Sequence, residues 1–274
     1  MPGTRPGMTV RTGQTMKASE LFDLTGRVAL VTGASSGLGT QFARALADNG
    51  AAVALVARRV DRLSALRDEI EAKGGRAIAI EADVTDRAAM LKAFAAAEAA
   101  FGTVTILVNN AGVAQAPVRA LDVTPEEWRR VLGVDLDALF FWAQEGARRM
   151  LAANKKGAIV NIASVLGFGV AKGVAAYAVA KAAVVQTTKA LALELAFKGV
   201  RVNAIAPGWF VTEINDKFLE SEAGAAMKRD IPMGRFGNAG DLDGALLLLV
   251  SDAGAYMTGA TVLVDGGQVI ALKG

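Results

Sequence analysis

Short apolar runs alternate with longer segments whose apolar residues recur every three or four positions through most of the chain. The runs lie at 28–32, 52–57, 77–81, 106–109, 158–163, 200–206 and 261–264. Their length suits strands, and apolar residues at successive positions predict strands covered on both faces. Helix-type segments separate them, so the pattern predicts an α/β fold: a doubly wound parallel sheet of about seven strands with helices on both faces. Local signals set several helix ends. Asn49-Gly50 suits a left-handed stop after 40–49. Thr124-Pro125-Glu126-Glu127 is a strong start, with a threonine N-cap, proline at the first position and glutamate three residues after the cap. The helix predicted from there to about 153 contains Gly133, Asp135 and Asp137, all poor interior helix formers, so a local irregularity is expected.

At 274 residues and 53% hydrophobic content, the chain can bury a large core in one domain, expected over 21–274. Residues 1–20 carry Pro2, Gly3, Pro6, Gly7 and Gly13 without an apolar run, and predict a flexible extension rather than a secretory signal. No stretch of about 18 uninterrupted apolar residues predicts a membrane span, and a cytoplasmic location is expected. Thirty basic residues against 27 acidic ones leave a formal charge of +3 with no basic run, which argues against nucleic acid and anionic membrane as partners. Cysteine and histidine are both absent. That excludes disulfides, thiolate nucleophiles and Ser-His-Asp hydrolysis, and no metal site is expected. An enzyme built from this chain must move protons with Tyr, Lys, Asp, Glu or hydroxyl groups.

One stretch organises the chemistry. Gly33, Ser35, Ser36, Gly37, Leu38 and Gly39 lie between the first strand and a helix, where unpartnered backbone N–H groups make a phosphate cradle. Gly33 suits a tight turn, and Gly37 and Gly39 let a diphosphate and the strand approach without a Cβ between them. Far downstream, Tyr177 and Lys181 fall one helical turn apart on one face, with Ser164 ahead of them.

With these residues the chain resembles the short-chain dehydrogenase/reductase family, of the roughly 250-residue type and including 3-oxoacyl-thioester reductase-like members; the likeness runs from about Leu24 to Gln268. The resemblance implies a single-domain Rossmann-like sheet and a nicotinamide-dependent enzyme acting on ketones or secondary alcohols. It makes Tyr177 the general acid/base, Lys181 its neighbour and a holder of ribose, and Ser164 a hydrogen-bonding partner of the substrate oxygen. The turn Asn109-Asn110-Ala111-Gly112 matches the family's N-N-A-G, so Asn110, Ala111 and Gly112 are expected at the cofactor. Asp83 and Val84 are expected at the adenine, although Asp83 reads equally well as a helix cap. Pro207, Gly208 and Thr212 match a segment contacting the nicotinamide carboxamide. Asp135 stands where the family has asparagine. Ionised aspartate offers only acceptors, so the change is mild if the backbone carbonyl matters and serious if side-chain donors do.

Cofactor choice is read at the second strand's end. An acidic residue there binds a free ribose 2′-OH, but this chain has Ala57 followed by Arg58 and Arg59, so NADP(H) is expected over a possible NAD(H). Val165, Leu166, Phe168, Val170, Trp209 and Phe210 are mostly apolar, which suggests a hydrophobic ketone or alcohol. A 3-oxoacyl thioester is the alternative, with Lys217, Lys228 and Arg229 in a lid expected over about 209–240. A scaffold without turnover and a sugar epimerase or dehydratase are the further alternatives. Two helices, one beginning at Thr124 and one carrying Tyr177, are apolar on more than one face, and similar proteins pair these helices, so a homotetramer formed as a dimer of dimers is expected.

Overall fold

A computed structural model describes residues 15–211, 213 and 221–271. Seven parallel strands form one sheet in the order β3-β2-β1-β4-β5-β6-β7. They are β1 Val28–Thr32, β2 Ala52–Ala57, β3 Arg76–Glu81, β4 Ile106–Asn109, β5 Gly157–Ile162, β6 Val200–Pro207 and β7 Thr261–Val264. The expected doubly wound sheet is therefore present, with shifts of a single residue at a few strand ends.

Side-chain alternation along the strands builds a core on each face. Ala29 and Val31 point to one layer with Leu55, Val108 and Val160. There they meet α1 (Gly37–Asp48), α2 (Val60–Ala72) and α8 (Asp243–Val250) through Phe42, Leu63 and Leu246. Val28 and Leu30 point to the other layer, against α3 (Arg87–Phe101), α5 (Leu139–Ala152) and α6 (Ala175–Leu195) through Phe94, Trp142 and Leu195. Each large side chain fully buried this way contributes roughly 1.5–3 kcal/mol, which is why strands apolar at every position form the central sheet.

The helix starting at Thr124 has the expected cap: its hydroxyl accepts from Glu127 N–H at 3.2 Å, with Pro125 next in the chain. α4 (Pro125–Leu132) then passes into a π-helical turn, Gly133–Ala138, before α5 begins. This wide turn is the irregularity that Gly133, Asp135 and Asp137 announced, and it buries Asp135.

The extension expected over 1–20 ends in one exposed helical turn, Ala18–Leu21; residues 1–14 lie outside the described residues. In the expected lid, Phe210 bridges to Gly237 and α7 spans Glu222–Arg229. Residues 212 and 214–220, which include the expected Thr212 and Lys217, lie outside the described residues.

Candidate active site

The order of strands reverses between β1 and β4, and parallel strands open a crevice beyond their carboxyl ends at such a point. Two backbone turns line it and lock together. Thr32 Oγ1 accepts from the N–H groups of Asn110 (3.0 Å) and Ala111 (3.1 Å). Asn110 Nδ2 donates back to the carbonyls of Thr32 (3.0 Å) and Gly33 (3.3 Å). Gly33 has φ +68°, and a Cβ there would lie 2.9 Å from Ala111 Cα; a Cβ at Gly39 would collide with the Gly33 carbonyl. Only glycines permit this approach of strand, turn and helix.

Beside the turn, Arg59 Nη2 donates to Ser36 Oγ (2.7 Å) and Ser35 Oγ (3.0 Å). Arg58 is held more loosely, 3.9 Å from Asp83 with its side chain 75% exposed. Asp83 accepts from Thr85 N–H (2.9 Å) and Thr85 Oγ1 (2.7 Å), bonds that hold its carboxyl below the usual range, with Arg58 adding to the effect. The cap of α3 is Asp86 rather than Asp83, accepting from Ala88 and Ala89 N–H. Val84 presents its carbonyl to Trp142 Nε1 at 2.9 Å.

Across the crevice the polar groups are buried. Ser164, two residues past the end of β5, is 8% exposed and its Oγ accepts from Leu166 N–H at 3.2 Å, which leaves the hydroxyl proton free. Lys181, 4% exposed, donates to the carbonyl of Ile162 at 3.0 Å, and its Nζ lies 5.4 Å from the centre of the Tyr177 ring. Asp135 is fully buried; its Oδ1 accepts from Val113 N–H at 2.8 Å, while no hydrogen bond reaches Oδ2. Burial raises its carboxyl pKa, opposed by Lys181, by the Val113 bond and by Arg130. Gly112 separates the two charged groups: a Cβ on it would lie 2.8 Å from Asp135 Oδ1 and 3.6 Å from Lys181 Nζ.

The expected walls occupy different depths. Val165 is buried, Leu166 half-buried, and Phe168 and Val170 exposed. Pro207 closes β6, and Gly208 N–H donates to Val264 O, with Asp265 Cα only 2.8 Å from where a Cβ would stand. Trp209 and Phe210 line a cavity with Met233, Arg235 and Val264. Phe210 is itself buried in the core, its ring against Gly237.

Asn161, Thr188 and Gln115 have no local signature. Asn109 Nδ2 donates to Asn161 Oδ1 and Asn161 Nδ2 to Thr188 Oγ1, both at 3.0 Å, tying β4, β5 and α6 behind the site. Gln115 Oε1 accepts from Tyr177 N–H at 3.2 Å. Among the described residues no cluster of acidic side chains could hold a metal ion, and no helix is long and apolar enough to cross a membrane.

A family model described as enoyl-(acyl carrier protein) reductase matches residues 33–268. The galactitol 2-dehydrogenase (L-tagatose-forming) of Cereibacter sphaeroides is 42% identical, over 91% of this chain and 98% of that enzyme. A 3-oxoacyl-[acyl-carrier-protein] reductase of Staphylococcus aureus is 38% identical, over 88% and 97% respectively. The crystal structure of a gluconate 5-dehydrogenase from Burkholderia cenocepacia, in complex with NADP and tartrate, superposes with a TM-score of 0.88 at 35% identity, covering 93% of this chain and all of that one (100%). Locked glycine and asparagine turns, buried Ser164 and Lys181 with a half-buried Tyr177, and similarity along nearly the whole sequence converge, and the chain belongs to the short-chain dehydrogenase/reductase family of oxidoreductases.

Proposed function

We propose that the chain is an NADP(H)-dependent oxidoreductase interconverting a ketone and a secondary alcohol, with Tyr177 as general acid/base. The observation that carries this reading is the placement of Lys181, 5.4 Å from the Tyr177 ring and anchored on the carbonyl of Ile162, two residues before Ser164. Tyr177 can give its proton to a substrate oxygen in reduction and recover it in oxidation, with the Lys181 ammonium set against its ring. Ser164 donates to the same oxygen and orients it.

The residues present fit a dinucleotide. Gly33 and Gly39 let the strand end, the helix start and the Asn110-Ala111 backbone meet where a Cβ would clash, and the first N–H groups of α1 have no acceptor within the helix and suit a diphosphate. Ser35, Ser36 and Leu38 would border the diphosphate, Asp83 and Val84 the adenine, and Asn110, Ala111, Gly112, Tyr177 and Lys181 the nicotinamide ribose, with Pro207, Gly208 and Thr212 at the carboxamide. When bound, the nicotinamide supplies or accepts the hydride. Arg58 and Arg59, with no carboxylate at Ala57, support a 2′-phosphate and hence NADP(H) over NAD(H), as does NADP in the related gluconate 5-dehydrogenase.

The candidate substrate-facing residues Val165, Leu166, Phe168 and Trp209 are apolar, which favours a hydrophobic ketone or secondary alcohol. The second reading, a 3-oxoacyl thioester, is supported by the Staphylococcus aureus relative and by Lys228 and Arg229 at the end of α7. Steady-state assays with apolar ketones, polyols and 3-oxoacyl thioesters, each with NADPH and NADH, test both; the highest kcat/KM is expected with an apolar ketone and NADPH. No turnover with any of these substrates would remove the enzymatic reading in favour of a binding scaffold. Phe141 on α5 and Val179 and Leu193 on α6 remain exposed and support pairing of these helices in a homotetramer. A monomer by light scattering at micromolar concentration would refute that assembly.

A further inference from the structure

We infer that Gln115 is a positioning residue for proton transfer, acting through the backbone of Tyr177; the inference rests on the oxidoreductase reading of the site. Tyr177 is the third residue of α6, and the first N–H groups of a helix have no acceptor within the helix. Val174 at the cap position offers no side-chain acceptor, and the first bond inside the helix runs from Ala178 N–H to Val174 O. Gln115, 62 positions earlier in the chain, supplies the missing acceptor to Tyr177 itself. It is 5% exposed, so water competes poorly for this bond.

What Gln115 is attached to gives the bond its consequence. It ends a three-residue stretch leaving the Asn109-Asn110-Ala111-Gly112 turn, and each residue of that stretch is fastened to a different element. Val113 N–H donates to Asp135 in the π-turn, Ala114 O accepts from Arg130 Nη2 on α4, and Gln115 Oε1 holds α6. Two and three residues further on, Pro117 packs against Gly173 and Val118 N–H donates to Gly173 O, closing the same loop onto the approach to α6. The first turn of the helix that carries the acid is thus set against the turn that borders the cofactor crevice. Removing the acceptor frees the Tyr177 backbone to shift by tenths of an ångström, and proton transfer depends steeply on such distances. Among the described residues the Gln115 amide nitrogen makes no hydrogen bond, and the side chain's one bond is the one its oxygen accepts from Tyr177.

Two substitutions of equal length separate positioning from filling of space. Gln115→Met removes the acceptor and keeps the volume; Gln115→Glu keeps an acceptor whether or not it is ionised. Both are measured with wild type and Tyr177→Phe for kcat, KM, cofactor Kd by nucleotide fluorescence, and Tm. The expected result is a roughly tenfold lower kcat for Gln115→Met, with KM and cofactor Kd within about twofold, and recovery of at least half of wild-type kcat in Gln115→Glu. Wild-type kcat in Gln115→Met, or equal losses in the Met and Glu variants, overturns the inference while leaving the oxidoreductase reading intact. A Gln115→Met chain whose cofactor Kd rises and whose Tm falls along with kcat also overturns it, since the residue would then be part of the general packing. Full activity in Tyr177→Phe instead strikes at the reading on which the inference rests, and the inference falls with it.

Discussion

The two sides of the crevice handle polar groups in opposite ways. On the β1–β2 side, Arg58 and Arg59 are exposed, held by one another's neighbours: Ser35, Ser36 and a 3.9 Å contact with Asp83. On the β4–β5 side, Ser164, Lys181 and Asp135 are buried and held by backbone groups of Leu166, Ile162 and Val113. Exposed charges are screened and can turn toward an arriving anion at little cost, which suits recognition of a ligand that comes and goes. Buried groups held by backbone keep one geometry through a reaction, which suits chemistry. The contrast teaches that substitutions on the first side should change which cofactor is chosen, whereas those on the second should change rate.

The sharpest test of the buried side is Tyr177→Phe. It keeps the half-buried ring beside Lys181 and removes only the titrating oxygen, so kcat should fall by at least about a hundredfold while cofactor affinity stays within a few-fold. Near-normal turnover would break the division between the two sides.

On the exposed side, Arg58→Ala combined with Ala57→Asp should lower the NADPH-to-NADH ratio of kcat/KM by roughly ten- to a hundredfold. That corresponds to about 1.5–3 kcal/mol for one charge-assisted contact to a phosphate. The maximal rate with saturating cofactor should barely move. Wild type preferring NADH would mean that the arginines serve only Ser35, Ser36 and Asp83.

The smallest rate effect is expected at Asp135, because Asn keeps an oxygen for Val113 N–H; kcat of Asp135→Asn should stay within about tenfold of wild type. Stability should respond more distinctly. Burial raises the Asp135 pKa in the folded chain above its unfolded value, so the folded chain retains a proton that the unfolded chain has released. Folding is therefore opposed increasingly as pH rises through that interval, and Asp135→Asn abolishes the penalty. Thermal unfolding at pH 4.5 and 7.5 should show a larger advantage of the variant at 7.5, each 1 kcal/mol appearing as roughly 2–4 °C in Tm. An advantage that shrinks toward pH 7.5 would show that Lys181 and Arg130 outweigh burial.

How much of this was legible in the residues differs along the same lines. Strand runs, the Thr124 cap and the helix irregularity at Gly133, Asp135 and Asp137 involve residues close in sequence, where side-chain type sets the local energy. Gly33, Gly37 and Gly39, the Tyr177/Lys181 spacing and the absence of an acid at Ala57 were equally readable, because each states a local requirement of a turn, a helix face or a strand end. The family resemblance then assigned roles to these positions.

Tertiary structure decided the partners. Nothing near Gln115 marks it as the acceptor for Tyr177, nothing near Asn161 foretells Thr188, and the glycine turn alone does not say that Arg59 rather than Arg58 binds Ser35 and Ser36. Phe210 suits a cavity wall or the core equally by its apolar side chain, and only packing sets its ring against Gly237. Such contacts exist only after the strand order places β4 and β5 beside β1 and sets their register, an outcome fixed jointly by dozens of buried side chains. The sequence by itself determined the elements and the chemical groups each carries; their distances, burial and hydrogen-bond partners came from packing, because those quantities belong to pairs of residues far apart in the chain.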